Sequence, residues 1–98
     1  MQIKLITGPM ASGKTTKLRA IQARLKKNGQ ESRLLVGTDA FDVKPFVRAV
    51  TQQIAQGHRT VLADDCSPEQ IRAIRTLKQQ YDEHGAHDEV VIHLVRRA

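Results

Sequence analysis

Gln2-Ile3-Lys4-Leu5-Ile6-Thr7-Gly8-Pro9-Met10-Ala11-Ser12-Gly13-Lys14-Thr15 begins as a strand and ends on the pattern G-x-x-x-x-G-K-[ST]. Ile3 and Leu5 alternate with Lys4, the period of a strand with one apolar face. Beyond the motif Leu18, Ile21 and Leu25 recur at helical spacing among Lys17, Arg19, Arg24, Lys26 and Lys27, and Asn28-Gly29 is a stop signal. A glycine-rich turn between a strand and a helix is the setting in which successive backbone N–H groups form a concave nest for phosphate oxygens. The positive end of the helix dipole adds to that nest. Gly8 and Gly13 supply the turns and the close approach that a Cβ would obstruct.

The segment Gly8, Pro9, Met10, Ala11, Ser12, Gly13, Lys14, Thr15 and Thr16 is therefore the expected binding site for a nucleoside triphosphate. Lys14 is expected on the β- and γ-phosphates as a catalytic cation, the Thr15 hydroxyl on Mg²⁺, and Thr16 near the α-phosphate.

The same alternation of signals continues along the chain. Arg33 to Thr38 reads as a buried strand ending at Asp39. Phe46, Val47, Val50 and Ile54 then follow at helical spacing, with Pro45 in the first turn and Gly57 at the far end. Thr60 to Ala63 reads as a short strand finishing in Asp64-Asp65. Ser67-Pro68-Glu69-Gln70 is a capping box with proline at the first helical position, and Ile71, Ile74 and Leu77 form the inward stripe. The helix ends near His84-Gly85, and Val90 to Val95 forms a last strand before Arg96-Arg97-Ala98. Four strands separated by three helical patterns predict an α/β, three-layer fold: a four-stranded parallel sheet with helices on both faces. Residues 1–98 are expected to form a single domain.

In such a sheet ligands bind outside the carboxyl ends of the strands, which brings Gly8, Asp39, Asp64-Asp65 and Arg96-Arg97 to one edge. Mg²⁺ is a hard ion that takes a carboxylate beside phosphate and hydroxyl oxygens, so Asp64 is the expected second metal ligand. Asp65 is placed to take a proton from an attacking water or hydroxyl, with a turn residue as the plainer reading. Arg96 and Arg97 read as a basic tail, or as cations that neutralise a transferred phosphoryl group. His84 and His87 read as surface histidines, His93 as a sheet residue, and Cys66 as a small buried side chain.

Composition narrows the classes. No apolar run approaches the ~20 residues that span a bilayer, and no signal-peptide segment opens the sequence. One cysteine excludes an intramolecular disulfide framework, and a cytoplasmic protein is the expectation. Residues 1–33 carry eight Lys or Arg against Glu31 alone, within a formal net charge of +6. This is read first as the solvated face of the first helix and second as a nucleic-acid surface, for which three aromatic residues provide no stacking platform.

Gly8-Pro9-Met10-Ala11-Ser12-Gly13-Lys14-Thr15-Thr16-Lys17-Leu18 resembles the phosphate loop of the type II thymidine kinases, G-P-M-F-S-G-K-[ST]-x-x-L, with Ala11 at the phenylalanine position. Asp64-Asp65 falls where that family has an aspartate–glutamate pair whose glutamate is the catalytic base. The family's substrate-enclosing segment and cysteine-bound zinc have no counterpart in these residues. The resemblance implies a reduced P-loop domain with strand order 1-4-3-2, the alternative being 4-1-3-2. It places the first strand at a sheet edge, where Lys4 is tolerated and where a second copy or a partner could pair. The expected function is binding of Mg²⁺ with ATP, or GTP, followed by hydrolysis or phosphoryl transfer. A nucleotide-responsive module completed by a partner is the alternative, and a basic nucleic-acid binder the third reading.

Overall fold

A computed structural model describes residues 1–7, 13–30, 33–39 and 42–97, with the side chains of Lys14, Thr15 and Asp39 left aside. The elements run β1 (Gln2–Ile6), α1 (Lys14–Lys27), β2 (Leu34–Val36), a single 3-10 turn (Gly37–Asp39), α2 (Val43–Ala55), β3 (Thr60–Cys66), α3 (Pro68–Glu83) and β4 (Val91–Arg96). All strand pairs are parallel and the order is β1-β4-β3-β2, so β1 and β2 are the edges. The order 1-4-3-2 holds, and 4-1-3-2 does not.

The three layers follow from side-chain alternation. On one face Leu62 and Val95 are buried under Leu18 of α1, with Ile6, Ile21, Leu25 and Leu34 packed around them. On the other, Val61, Ala63, Ile92 and Leu94 meet Phe46, Val50 and Ile54 of α2 and Ile71, Ile74 and Leu77 of α3. The central strands β3 and β4 are thus apolar on both faces, as a covered parallel sheet requires. Among the described residues Phe46, 2% exposed, is the fully buried aromatic of this core, and Tyr81 packs half-buried against it.

Three expected boundaries shift. The second strand is three residues rather than the span from Arg33 to Thr38, because the chain turns into the 3-10 segment at Gly37. β3 does not finish before Asp64-Asp65; it carries both aspartates within it and continues to Cys66. β4 lies one residue later than expected and includes Arg96. The helix signals held: Asn28 caps α1 and Gly29 takes φ 77°, Pro45 sits in the first turn of α2, and α3 starts on its capping box. No helix of the described residues is long and apolar enough to cross a membrane.

Candidate functional site

Because every strand runs the same way, the ends of all four meet along one edge of the sheet. Ile6 lies opposite Val95, Cys66 opposite Arg96, and Asp64 opposite Val36. Thr7, the bulge at Asp65, Gly37 and Arg97 therefore form one rim. Residues 8–12, the larger part of the G-x-x-x-x-G-K-[ST] motif, lie outside the described residues, as do the side chains of Lys14 and Thr15.

Gly13 is the N-cap of α1, with φ 75° and ψ 23°, and its carbonyl accepts the first helical hydrogen bond from the Lys17 amide at 3.0 Å. This left-handed conformation is cheap only for glycine. No side chain caps the helix and no acid lies in its first turn, whereas Arg24, Lys26 and Lys27 occupy the last turn. The N-cap residue, a glycine, brings no side chain to the N-terminal amides of α1. Thr16, in the first turn, is exposed.

Asp64 is half-buried on the α1 face of the sheet, in phase with Leu62, and its Oδ1 accepts a hydrogen bond from the Asp65 amide at 2.8 Å. Asp65 then takes φ 53°, unusual for a residue with a Cβ, and the β3–β4 register shifts between Ala63 and Cys66. This bulge turns Asp65 toward Arg97: Arg97 Nε donates to Asp65 Oδ1 and Nη2 donates to the Asp65 carbonyl, both at 3.3 Å. Arg97 is also tied by its own amide to the Cys66 carbonyl at 2.8 Å. The expectation of a basic tail therefore fails for Arg97, which closes the rim.

Cys66, next along, has its thiol pushed up to about 12 by burial, and further by the charges of Asp64 and Asp65. It stays protonated at neutral pH, in accord with a packing role. His93 has its pKa lowered by burial first and then by the cations Lys4 and Arg24. His87 meets Tyr81 edge to face, ring centroids 4.9 Å apart. Among the described residues no cluster of three or more His, Cys, Asp or Glu could hold a metal ion. Mg²⁺ bound with a nucleotide needs no such cluster, since it takes one or two protein oxygens beside phosphate and water. Asp64, a hard oxygen donor at the rim, fits such a site.

Beside the Asp65–Arg97 pair lies a cleft of about 500 Å³, whose walls include Gly37, Thr38, Asp42, Ser67, Glu69 and Arg97. Gly37 is buried in it. A Cβ there would come under 3.0 Å from the Asp65 carbonyl oxygen and the Gln70 side chain. Gln70, buried, donates to the Gly37 carbonyl at 2.9 Å and accepts from the Ser67 amide at 2.9 Å, fastening the end of β2 to the start of α3. The close approach at Gly37, the Gln70–Gly37 hydrogen bond and the Arg97–Asp65 pair were not foreseen from the sequence; the glycine directly after the second apolar run is the local signal of the close approach. Compared with models of known protein families, with curated proteins and with solved structures, the chain matches none.

Proposed function

We propose that this protein is a P-loop domain that binds Mg²⁺ with a nucleoside triphosphate, ATP before GTP, at the carboxyl edge of the sheet, and hydrolyses or transfers the terminal phosphoryl group. The observation that carries the reading is the G-x-x-x-x-G-K-T motif set between a β-strand and a helix whose N-cap is a left-handed glycine. Backbone amides of Gly8 to Gly13 and the Lys14 ammonium hold the phosphates, Thr16 lies toward the α-phosphate, and Thr15 and Asp64 ligate Mg²⁺. A bound Mg²⁺ would neutralise phosphate charge. Arg97, anchored on Asp65, stands at the rim as a further cation for that charge. A cytoplasmic setting, where ATP is abundant and Cys66 stays reduced, accords with this activity.

One observation favours a second reading. The carboxylate expected to act as base, Asp65, is engaged by Arg97, so turnover could require a partner that draws Arg97 away; the protein is then a nucleotide-responsive module completed by that partner. Calorimetric titration of the native chain and Lys14→Ala with ATP and with GTP, with and without Mg²⁺, tests the shared premise. Saturable, Mg²⁺-dependent binding weakened about a hundredfold or more by the substitution, roughly 2.7 kcal/mol, is the expected result. No binding by a folded native chain overturns it.

A further inference from the structure

β1 is an edge strand, and its hydrogen-bonding phase is fixed. The Gln2 amide donates to the Val90 carbonyl at 2.8 Å, so Gln2, Lys4 and Ile6 turn their backbone groups toward β4. Ile3 and Leu5 then turn two amides and two carbonyls to the outside, with no neighbouring strand among the described residues. Leu5, 36% exposed, is the exposed large apolar side chain of the described residues. It opens a groove of about 220 Å³ with Pro68 and Ile71 of α3, bordered by Arg72, Arg75 and Arg96. On the opposite face of the same strand Lys4 is exposed and, with Arg24 of α1, acts electrostatically on His93. Of the acids on α3, Glu69 lines the cleft beside Arg97 and Asp82 is taken up by the Met1 amino group and Lys78. Neither Arg72 nor Arg75 forms an ion pair among the described residues.

We propose that the free edge of β1 is a docking site for an extended acidic polypeptide segment of a partner, which adds to the sheet as a fifth strand. Such a segment would satisfy the outward backbone groups of Ile3 and Leu5, seat an apolar side chain against Leu5 and Ile71, and set carboxylates on the Arg72–Arg75–Arg96 border and on Lys4 and Arg24. The charges select against a second copy of this chain. Pairing two β1 strands would bring Arg72 and Arg75 of both copies together, in a protein of net charge +6. The unpaired backbone and the apolar groove select a polypeptide over a nucleic acid, for which the edge has no aromatic platform.

The test uses the full chain and a blocked seven-residue peptide of alternating glutamate and valine, followed by fluorescence anisotropy and amide hydrogen exchange. Binding that slows exchange at Ile3 and Leu5, weakens at least tenfold in Arg72→Glu/Arg75→Glu, and is lost when lysine replaces glutamate or alternate peptide nitrogens are methylated is the expected result. Lys14→Ala should bind the peptide as the native chain does, which separates this site from the nucleotide reading. Equal binding of the methylated peptide, protection elsewhere, a dimer that shields the same amides, or tighter protection of them by oligothymidylate would each overturn the proposal.

Discussion

Two helices begin on the same edge of the sheet and treat their N-termini in opposite ways. At α3 the Ser67 hydroxyl accepts from the Gln70 amide, the Gln70 side chain accepts from the Ser67 amide, Pro68 removes one donor, and Glu69 places a carboxylate in the first turn. Every means of satisfying a helix start is used, and the positive end of the dipole is spent on the protein itself. At α1 a left-handed glycine stands at the cap, with no side chain of its own to accept, and no acid follows in the first turn. α2 belongs with α3, since Asp42 Oδ1 accepts from the Val43 amide at 2.7 Å. Two of the three starts are capped by their own N-cap side chain and one is left to glycine, and the proposed phosphate site falls at the one left to glycine.

The closed end rests on Gly37, and breaking it there should have the largest effect. Gly37→Ala forces a methyl group against the Asp65 carbonyl and Gln70, so the rim must open or Gln70 must leave the Gly37 carbonyl. A loss of about 3 kcal/mol, the upper range for overpacking a tight site, is expected from urea unfolding. The contrast with Gly13 is direct: among the described residues a Cβ on Gly13 meets nothing within 4 Å, so Gly13→Ala is expected to cost the left-handed conformation, about 1 kcal/mol.

The next effect is a pH dependence at the entry to the closed end. Cys66 ionises near 9 when unfolded and at about 12 in the folded chain. The unfolded chain therefore loses its proton first, and the stability contributed by the buried thiol is complete below pH 9 and declines as pH rises toward 12. At pH 10 the loss is about 1.4 kcal/mol. The urea midpoint of the native chain should fall between pH 8 and pH 10, and Cys66→Ala should remove this part of the fall. An identical fall in Cys66→Ala would place the titration elsewhere.

Much of this molecule can be read in one dimension because its signals are local. The capping box of α3, the apolar stripe of α2 and the strand periodicities each lie within a few residues, and together with right-handed crossovers they leave few arrangements of four strands. The rim was less legible. Asp65 and Arg97 are 32 residues apart, and their pairing depends on a bulge that alternation of apolar residues does not announce. Asp64 and Asp65 read as the end of a strand because charge ordinarily marks a turn; inside β3 they are tolerated because both lie at the rim, half-buried rather than in the core. Gln70 was legible as a cap but not as the clasp on Gly37, since only the parallel sheet brings the end of β2 against the start of α3.

The finest test exchanges the character of the two helix starts. Ser67→Ala removes the α3 hydroxyl cap and should cost about 1 kcal/mol, with ATP affinity unchanged, because that end serves only the fold. Thr16→Glu gives α1 the acid in its first turn that α3 already has. It should stabilise the chain by about 0.5 kcal/mol through the helix dipole, while weakening Mg²⁺–ATP binding about tenfold, roughly 1.4 kcal/mol. Thr16→Gln, of the same size without the charge, separates the carboxylate's repulsion from loss of the hydroxyl. If Thr16→Glu gains stability and keeps full affinity, the phosphates do not lie at the start of α1, and the difference between the two helices is one of capping alone.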